Sequence, residues 1–232
     1  VRATGTKSVD GHVWLTSGSG NLTVAGNVTA TNADGSGGAV TTRANNIVIS
    51  GNIDASATKG TKSGGNVSII AQDTTQFAGT IAAKGGDHGK GGLVETSGQY
   101  LKVADSAKVT TLAKDGLSGD WLIDPNDFTS AASGGDITGA QLSTNLGTTD
   151  VTIASGDGVN AGNGDIFIND AVSWSSAHSL TLNAQRNIDV NANVSITGSG
   201  ALALNTGLGG GGDLDFTLGL GRVEFTNVTS GN

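Results

Sequence analysis

The chain has no cysteine, no methionine and a single proline, and aromatic residues make up only 4% of its 232 positions. Without cysteine there is no disulfide framework, no thiolate metal site and no thiol nucleophile. That absence fixes no compartment, because an exported protein can also do without cysteine. No apolar run reaches the roughly 18 residues that a membrane-spanning helix requires. A basic arm is missing too. The net charge is −8, and an acidic chain without clustered Lys and Arg is a poor partner for nucleic acid. No signal peptide opens the sequence, which begins at Val1, so it reads as a mature or excised piece of something longer.

Glycine is what the chain has in excess, at 39 residues. Hydrophobic residues, 36% of the total, are mostly Val, Ile, Leu and Ala in short runs separated by Ser, Thr and Asn. Such a mixture would suit a disordered tract if the apolar pairs were not regularly spaced. Charge is uneven: residues 1–119 carry 10 Lys and Arg against 8 Asp and Glu, whereas residues 120–232 carry 2 Arg against 12 acids. The chain therefore divides into two sections with different surfaces.

The spacing is the strongest signal. Gly11, Gly38, Gly65, Gly92 and Gly119 lie 27 residues apart. Two positions after each stand Val13, Val40, Val67, Val94 and Trp121, and four positions after stand Leu15, Thr42, Ile69, Thr96 and Ile123. Trp14, Thr41, Ser68, Glu95 and Leu122 fall between them. One alternating strand thus recurs five times, with the intervening residues facing outward. Further on the period is 22, mapping Ile166 to Ile188, Ile168 to Val190, Val172 to Val194, Trp174 to Ile196, Leu180 to Leu202 and Leu182 to Leu204. The register slips at Gly209–Gly212.

Constant periods with short strands predict an all-β fold, a right-handed parallel β-helix with rungs of about 27 and then 22 residues. A β-sandwich would give irregular spacings and hairpin turns. Gly is expected at corners, supplying positive φ. The expected sections are residues 1–128, an inserted loop and short helix at 129–146, and residues 147–232, all within one solenoid. Thr138, with Gln141 three residues on, matches a capping box for a helix in "TGAQLSTNL".

Residues 91–129, "GGLVETSGQYLKVADSAKVTTLAKDGLSGDWLIDPNDFT", resemble the hallmark segment of filamentous-haemagglutinin-type exoproteins of the two-partner secretion system. That family includes high-molecular-weight and biofilm-matrix adhesins. "VETSG" and "WLIDPNDFT" are the specific parts, and residues 179–204 resemble the family's downstream repeats. The family's amino-terminal secretion domain carries Asn-Pro-Asn motifs, and the single proline, Pro125, is not in one. The resemblance implies a stalk segment of a secreted fibre on a Gram-negative cell surface, exported through an outer-membrane transporter partner and mediating attachment.

No catalytic residue, metal site or cofactor is expected. Cleavage of polysaccharide would need clustered acids, or Asp with Arg or Lys, facing one groove, but Glu95 and Glu224 lie far apart, and Asp124 and Asp127 flank a proline turn. His12, His88 and His178 occur singly and read as solvated or corner residues. The oxygen-rich stretches 156–165 and "DPND" match neither an EF-hand nor a calcium-roll repeat. Trp121 and Trp174 fall in inward columns and are assigned to the core. Trp14, outward, is a candidate sugar-stacking residue. Lys59, Lys62, Lys84, Lys90 and Lys114 lie in the loops closing the first rungs and would stack into a basic ridge. That ridge is the candidate surface for an exopolysaccharide, a surface glycan or a receptor. Asn21, Asn27, Asn66, Asn193 and Asn227 head Asn-x-Ser/Thr triplets, for which stacked asparagine ladders are the plainer reading.

Overall fold

Most turns of the chain are laid down as three short strands, and each next turn lies directly on top of the last. The computed structural model describes residues 2–7, 11–156, 162–216 and 223–225. β1 (Arg2–Lys7) pairs in parallel with residues 23–29. The next turn holds β2 (His12–Thr16) and the long β3 (Asn21–Thr29), whose two halves pair separately with the turn above. Above it follow β4 (Ala39–Ala44), β5 (Asn46–Ile49) and β6 (Asn52–Asp54), then β7 (Asn66–Ala71), β8 (Thr74–Phe77) and β9 (Thr80–Ala82). Next come β10 (Leu93–Ser97), β11 (Tyr100–Val103) and β12 (Lys108–Thr110), then β13 (Asp120–Asp124), β14 (Phe128–Ser130) and α1 (Gly139–Asn145). The remaining turns are β15 (Asp150–Ser155), β16 (Ile166–Ile168) and β17 (Val172–Trp174), then β18 (Leu180–Ala184), β19 (Ile188–Val190) and β20 (Val194–Ile196). They end with β21 (Leu202–Asn205), β22 (Leu214–Phe216) and β23 (Val223–Phe225).

The first strands of all these turns form one eight-stranded parallel sheet, β2-β4-β7-β10-β13-β15-β18-β21. The chain is a parallel β-helix of about seven turns. Its inward column runs Val13, Val40, Val67, Val94, Trp121, Val151, Leu180 and Leu202, each paired with the next. The step is 27 residues four times, then 30, 29 and 22. The 22-residue period belongs to one turn, since Ile188 pairs next with Leu214 and Val194 with Val223. Strand columns hold their register because they bury a face, whereas loops absorb the difference in length.

Inside, Val and Ile fill the stack with essentially no exposure. Burial of each such side chain contributes about 1.5–3 kcal/mol. Trp121 is fully buried, stands edge-on to Phe77 at 6.2 Å between ring centroids, and donates its indole N–H to Thr96 Oγ1 at 3.0 Å. Trp174 is buried as well, its N–H donated to the His178 carbonyl at 2.7 Å.

The repeating glycines are required for a reason other than positive φ. Gly38, Gly65, Gly92 and Gly119 all have ordinary φ, and only Gly11 of that column is left-handed. A Cβ on any of the four would sit on the carbonyl oxygen of the glycine one turn below. Close approach between backbones, not turn conformation, selects glycine there.

α1 replaces a strand. It sits over β12 and under β17, in the place the third strand of its turn would occupy. The strand edge beneath it is satisfied by side chains: Asn145 Oδ1 accepts from Val109 N–H at 2.8 Å, and the Gln141 amide donates to the Ala107 carbonyl. On the other side Ser143 Oγ accepts from Ser173 N–H at 2.9 Å. Thr138 caps the helix by accepting from Gln141 N–H at 3.1 Å. Of the two bonds of a capping box, the one from Gln141 N–H to the Thr138 hydroxyl is present.

Gly92→Ala should destabilise the rod by about 1–3 kcal/mol or more through overpacking, whereas Gly60→Ala, where a new Cβ would meet only the Asp87 side chain at an ordinary 3.8 Å, should be close to neutral. Comparing the denaturant midpoints of the two variants checks this; equal midpoints would refute the close-approach account.

Candidate functional site

The loops that close the first four turns are too polar and glycine-rich to form strands, yet their backbones stack as strands do. Gly37 N–H donates to Ser63 O at 2.9 Å, Gly64 N–H to Lys90 O at 2.8 Å and Gly91 N–H to Leu117 O at 2.9 Å. Farther out, Thr58 N–H donates to Gly35 O at 2.9 Å and Asp115 N–H to Asp87 O at 2.8 Å. Gly86 fits this stack because a Cβ there would strike the Lys59 carbonyl.

Between these loops and the third-strand column lies a groove of about 820 Å³. Thr29 and Thr31 line it from the first turn, Asp54, Ser56, Thr58 and Lys59 from the second, Lys84 and Asp87 from the third, and Leu112 and Lys114 from the fourth. The five loop lysines are thereby divided. Lys59, Lys84 and Lys114 share the groove, and all three are exposed. Lys62 is held by Asp34 at 2.7 Å, and that ammonium, with the Ser36 hydroxyl and amide, keeps the Asp34 carboxyl well below its usual range. Lys90 is exposed outside the groove. The ridge expected from the sequence is therefore a groove with three lysines plus a separate ion pair. The hydroxyls and Asp54 and Asp87 were missed because they gain meaning only as neighbours across turns. The available signal was the column Thr29, Asp54, Ala82, Thr110.

Trp14 is 66% exposed, paired in its column with Thr41, and does not line the groove. Glu95 has a closer acid than column counting showed. Asp124, two positions beyond its partner Leu122, lies near enough that burial first and then the Glu95 charge push its carboxyl up. Asp120 sits directly opposite Asp150, and burial, aided by that charge, raises it from 3.8 to about 6, although the Thr152 hydroxyl donates to it at 3.0 Å. Asp165 goes the other way: Arg186 grips both its oxygens, one at 2.7 Å, and holds its carboxyl down.

The "DPND" turn is tied to the loop between β15 and β16. Asp127 Oδ1 accepts the backbone N–H groups of Asn163, Gly164 and Asp165, each at 2.9 Å, a nest made possible by Gly162 and Gly164 at positive φ. It is a latch between loops rather than a free ligand. The neighbouring candidate stretch 156–165 lies partly outside the described residues, as does Asn227. Among the described residues no group of three or more His, Cys, Asp or Glu could hold a metal ion. His88 is exposed beside Asp115 at 3.3 Å. His178 is not solvated: it is buried, with Nδ1 against Leu146 O at 3.1 Å and Nε2 against Ser118 Oγ at 3.0 Å. Asn21 and Asn27 form ladders with Asn46 and Asn52 at 3.0 and 2.9 Å, whereas Asn66 and Asn193 are exposed.

No family model matches the chain, and no curated protein or solved structure matches it either.

Because the folded state holds the Asp120 proton more tightly than the unfolded chain does, its contribution is present below about pH 4 and is lost as pH rises through about 6. Asp120→Asn should leave the melting temperature near pH 3.5 unchanged. It should raise it at pH 7.5 by an amount equivalent to about 1–2 kcal/mol, after allowance for solvent screening. Thermal melts at the two pH values check this; a variant less stable at pH 7.5 would overturn it.

Proposed function

We propose that the chain is a rigid stalk segment of a secreted bacterial adhesin, a fibre that holds a cell to a surface, to another cell or to a biofilm matrix. The observation that carries this reading is the eight-stranded sheet running unbroken through turns of very different loop length. Seven steps at about 4.8 Å make a rod face of about 34 Å, and a stack that continues through a change of period is a structure suited to reach. The resemblance of "VETSG" and "WLIDPNDFT" to filamentous-haemagglutinin-type exoproteins supports it and adds the export route, an outer-membrane transporter partner. The parent protein then belongs at the cell surface or in the medium.

A second reading, a glycan- or receptor-binding module within such a fibre, is favoured by the lysine-lined groove. A polysaccharide-cleaving role is the least supported. The groove does hold Asp54 and Asp87 beside its lysines, but Asp54 already accepts from Ser56 N–H, and the closely paired acids, Glu95 with Asp124 and Asp120 with Asp150, lie outside it.

Small-angle scattering of the chain should give an elongated, rod-like profile, and antibody labelling of the source cells should place the parent protein outside the cell. Incubation with polyuronates should yield no unsaturated, ultraviolet-absorbing product. A compact profile or an intracellular location would overturn the stalk; appearance of the product would replace it with a lyase.

A further inference from the structure

We infer that the groove binds a linear anionic polysaccharide of the polyuronate class, lying along the long axis of the rod. The inference rests on the surface-fibre reading above for its setting, but its argument is the groove itself. Four successive turns contribute to the lining, so the groove runs with the stack for about 14 Å, three inter-strand steps. A long, open channel of this kind fits an extended polymer better than a compact metabolite, which would need a deeper enclosure.

Its chemistry is repetitive in the same direction. Lys59, Lys84 and Lys114 supply one ammonium from each of three consecutive turns. None of them is in an ion pair among the described residues. A polymer with carboxylates at regular intervals can meet all three at once, and several weak contacts on one chain then act as a single tight one. The remaining lining suits sugar. Thr31 presents a hydroxyl and Asp87 a carboxylate, acceptors for ring hydroxyl groups; Ser56 Oγ already accepts from Lys84 N–H at 3.1 Å and keeps its own O–H to donate, while Leu112 adds an apolar edge for a ring face. Asp54 is partly occupied, its Oδ1 accepting from Ser56 N–H at 2.9 Å. Among the described residues no aromatic side chain lines the groove, so stacked bases of single-stranded nucleic acid find no platform there. The stacked backbone of the loops holds these groups in place before the ligand arrives, which reduces the ordering cost of binding.

The test uses the full chain with polyuronate oligosaccharides and with neutral glucans of equal length, titrated calorimetrically. Polyuronate should bind and neutral glucan should not. Raising salt from about 50 to about 300 mM should weaken binding, because the contacts are exposed ionic ones. Replacing Lys59, Lys84 and Lys114 together by Gln should weaken it by about tenfold or more, about 1.4 kcal/mol or more, while Lys62→Gln and Lys90→Gln should change it by less than about twofold. In the unmodified protein, bound polyuronate should protect Lys84 and Lys114 from amine acylation and leave Lys90 reactive, as read by peptide mass mapping; this arm holds even if the triple variant fails to fold. Equal binding of neutral glucan, no binding of polyuronate, or protection of Lys90 in place of Lys84 would overturn the assignment. Such a failure leaves rod-like scattering and surface location intact, whereas failure of the stalk reading appears in those two measurements and not in the titration.

Discussion

Everything in this molecule depends on backbones lying one strand spacing apart at every point of the turn, corners included. Strands meet that demand by their own geometry, but corners do not. Where the chain must bend while still touching the turn below, a side chain has no room, and the column Gly38, Gly65, Gly92, Gly119 is the result. The same constraint extends to the loops, where Gly64 and Gly91 lie against the backbone one turn away. Much of the high glycine content is therefore a packing requirement, while positive φ asks for glycine elsewhere, as at Gly162 and Gly164. It also explains why so few residues in the strands are glycine: there the pleat already sets the distance, and Val or Ile adds buried area.

A stack of this kind tolerates irregularity only if each turn presents a satisfied edge to its neighbours. α1 meets that condition. A helix uses its own N–H and C=O groups internally and offers no ladder, so an open strand edge beneath it would be left unpaired at a cost of about 1–3 kcal/mol per buried group. Asn145, Gln141 and the Thr148 carbonyl supply the missing partners to Val109, Ala107 and Thr111. Ile137, Leu142 and Leu146 fill the interior that strand side chains would otherwise occupy. The helix is a substitute inside the solenoid, and the main sheet passes it without interruption.

The columns of the fold were legible in the sequence because a buried face repeats with the turn. Val13 to Trp121, Leu15 to Ile123 and Ile166 to Ile188 could be paired by counting alone. The places where counting failed share one cause: it compares residues one period apart and ignores diagonal or loop neighbours. Asp124 lies beside Glu95 on a diagonal. Lys62 is drawn away from its expected companions by Asp34, 28 positions earlier in another loop. His178 reaches Ser118 across 60 residues. The groove was half legible, since its lysines stand out in composition while its threonines and serines look like ordinary strand polarity.

Stacking also governs where charge can be placed. In a solenoid an outward residue faces its counterpart above and below, so a charge repeated in a strand column meets its own sign. Asp189 stands opposite Asp215, and its carboxyl is pushed up by burial and by that neighbour. Strand columns and corners mostly avoid the problem with neutral pairs, such as Asn191 on Asn169 at 2.7 Å and Asn205 on Asn183 at 2.8 Å. Loops escape it differently. Their lengths vary from turn to turn, so Lys59, Lys84 and Lys114 enter the groove from different loop positions and are interleaved with Asp54 and Asp87. Net charge that a column would penalise is thus stable in the loops, which makes the loop face the part of the rod where recognition of a charged polymer can be built without weakening the stack.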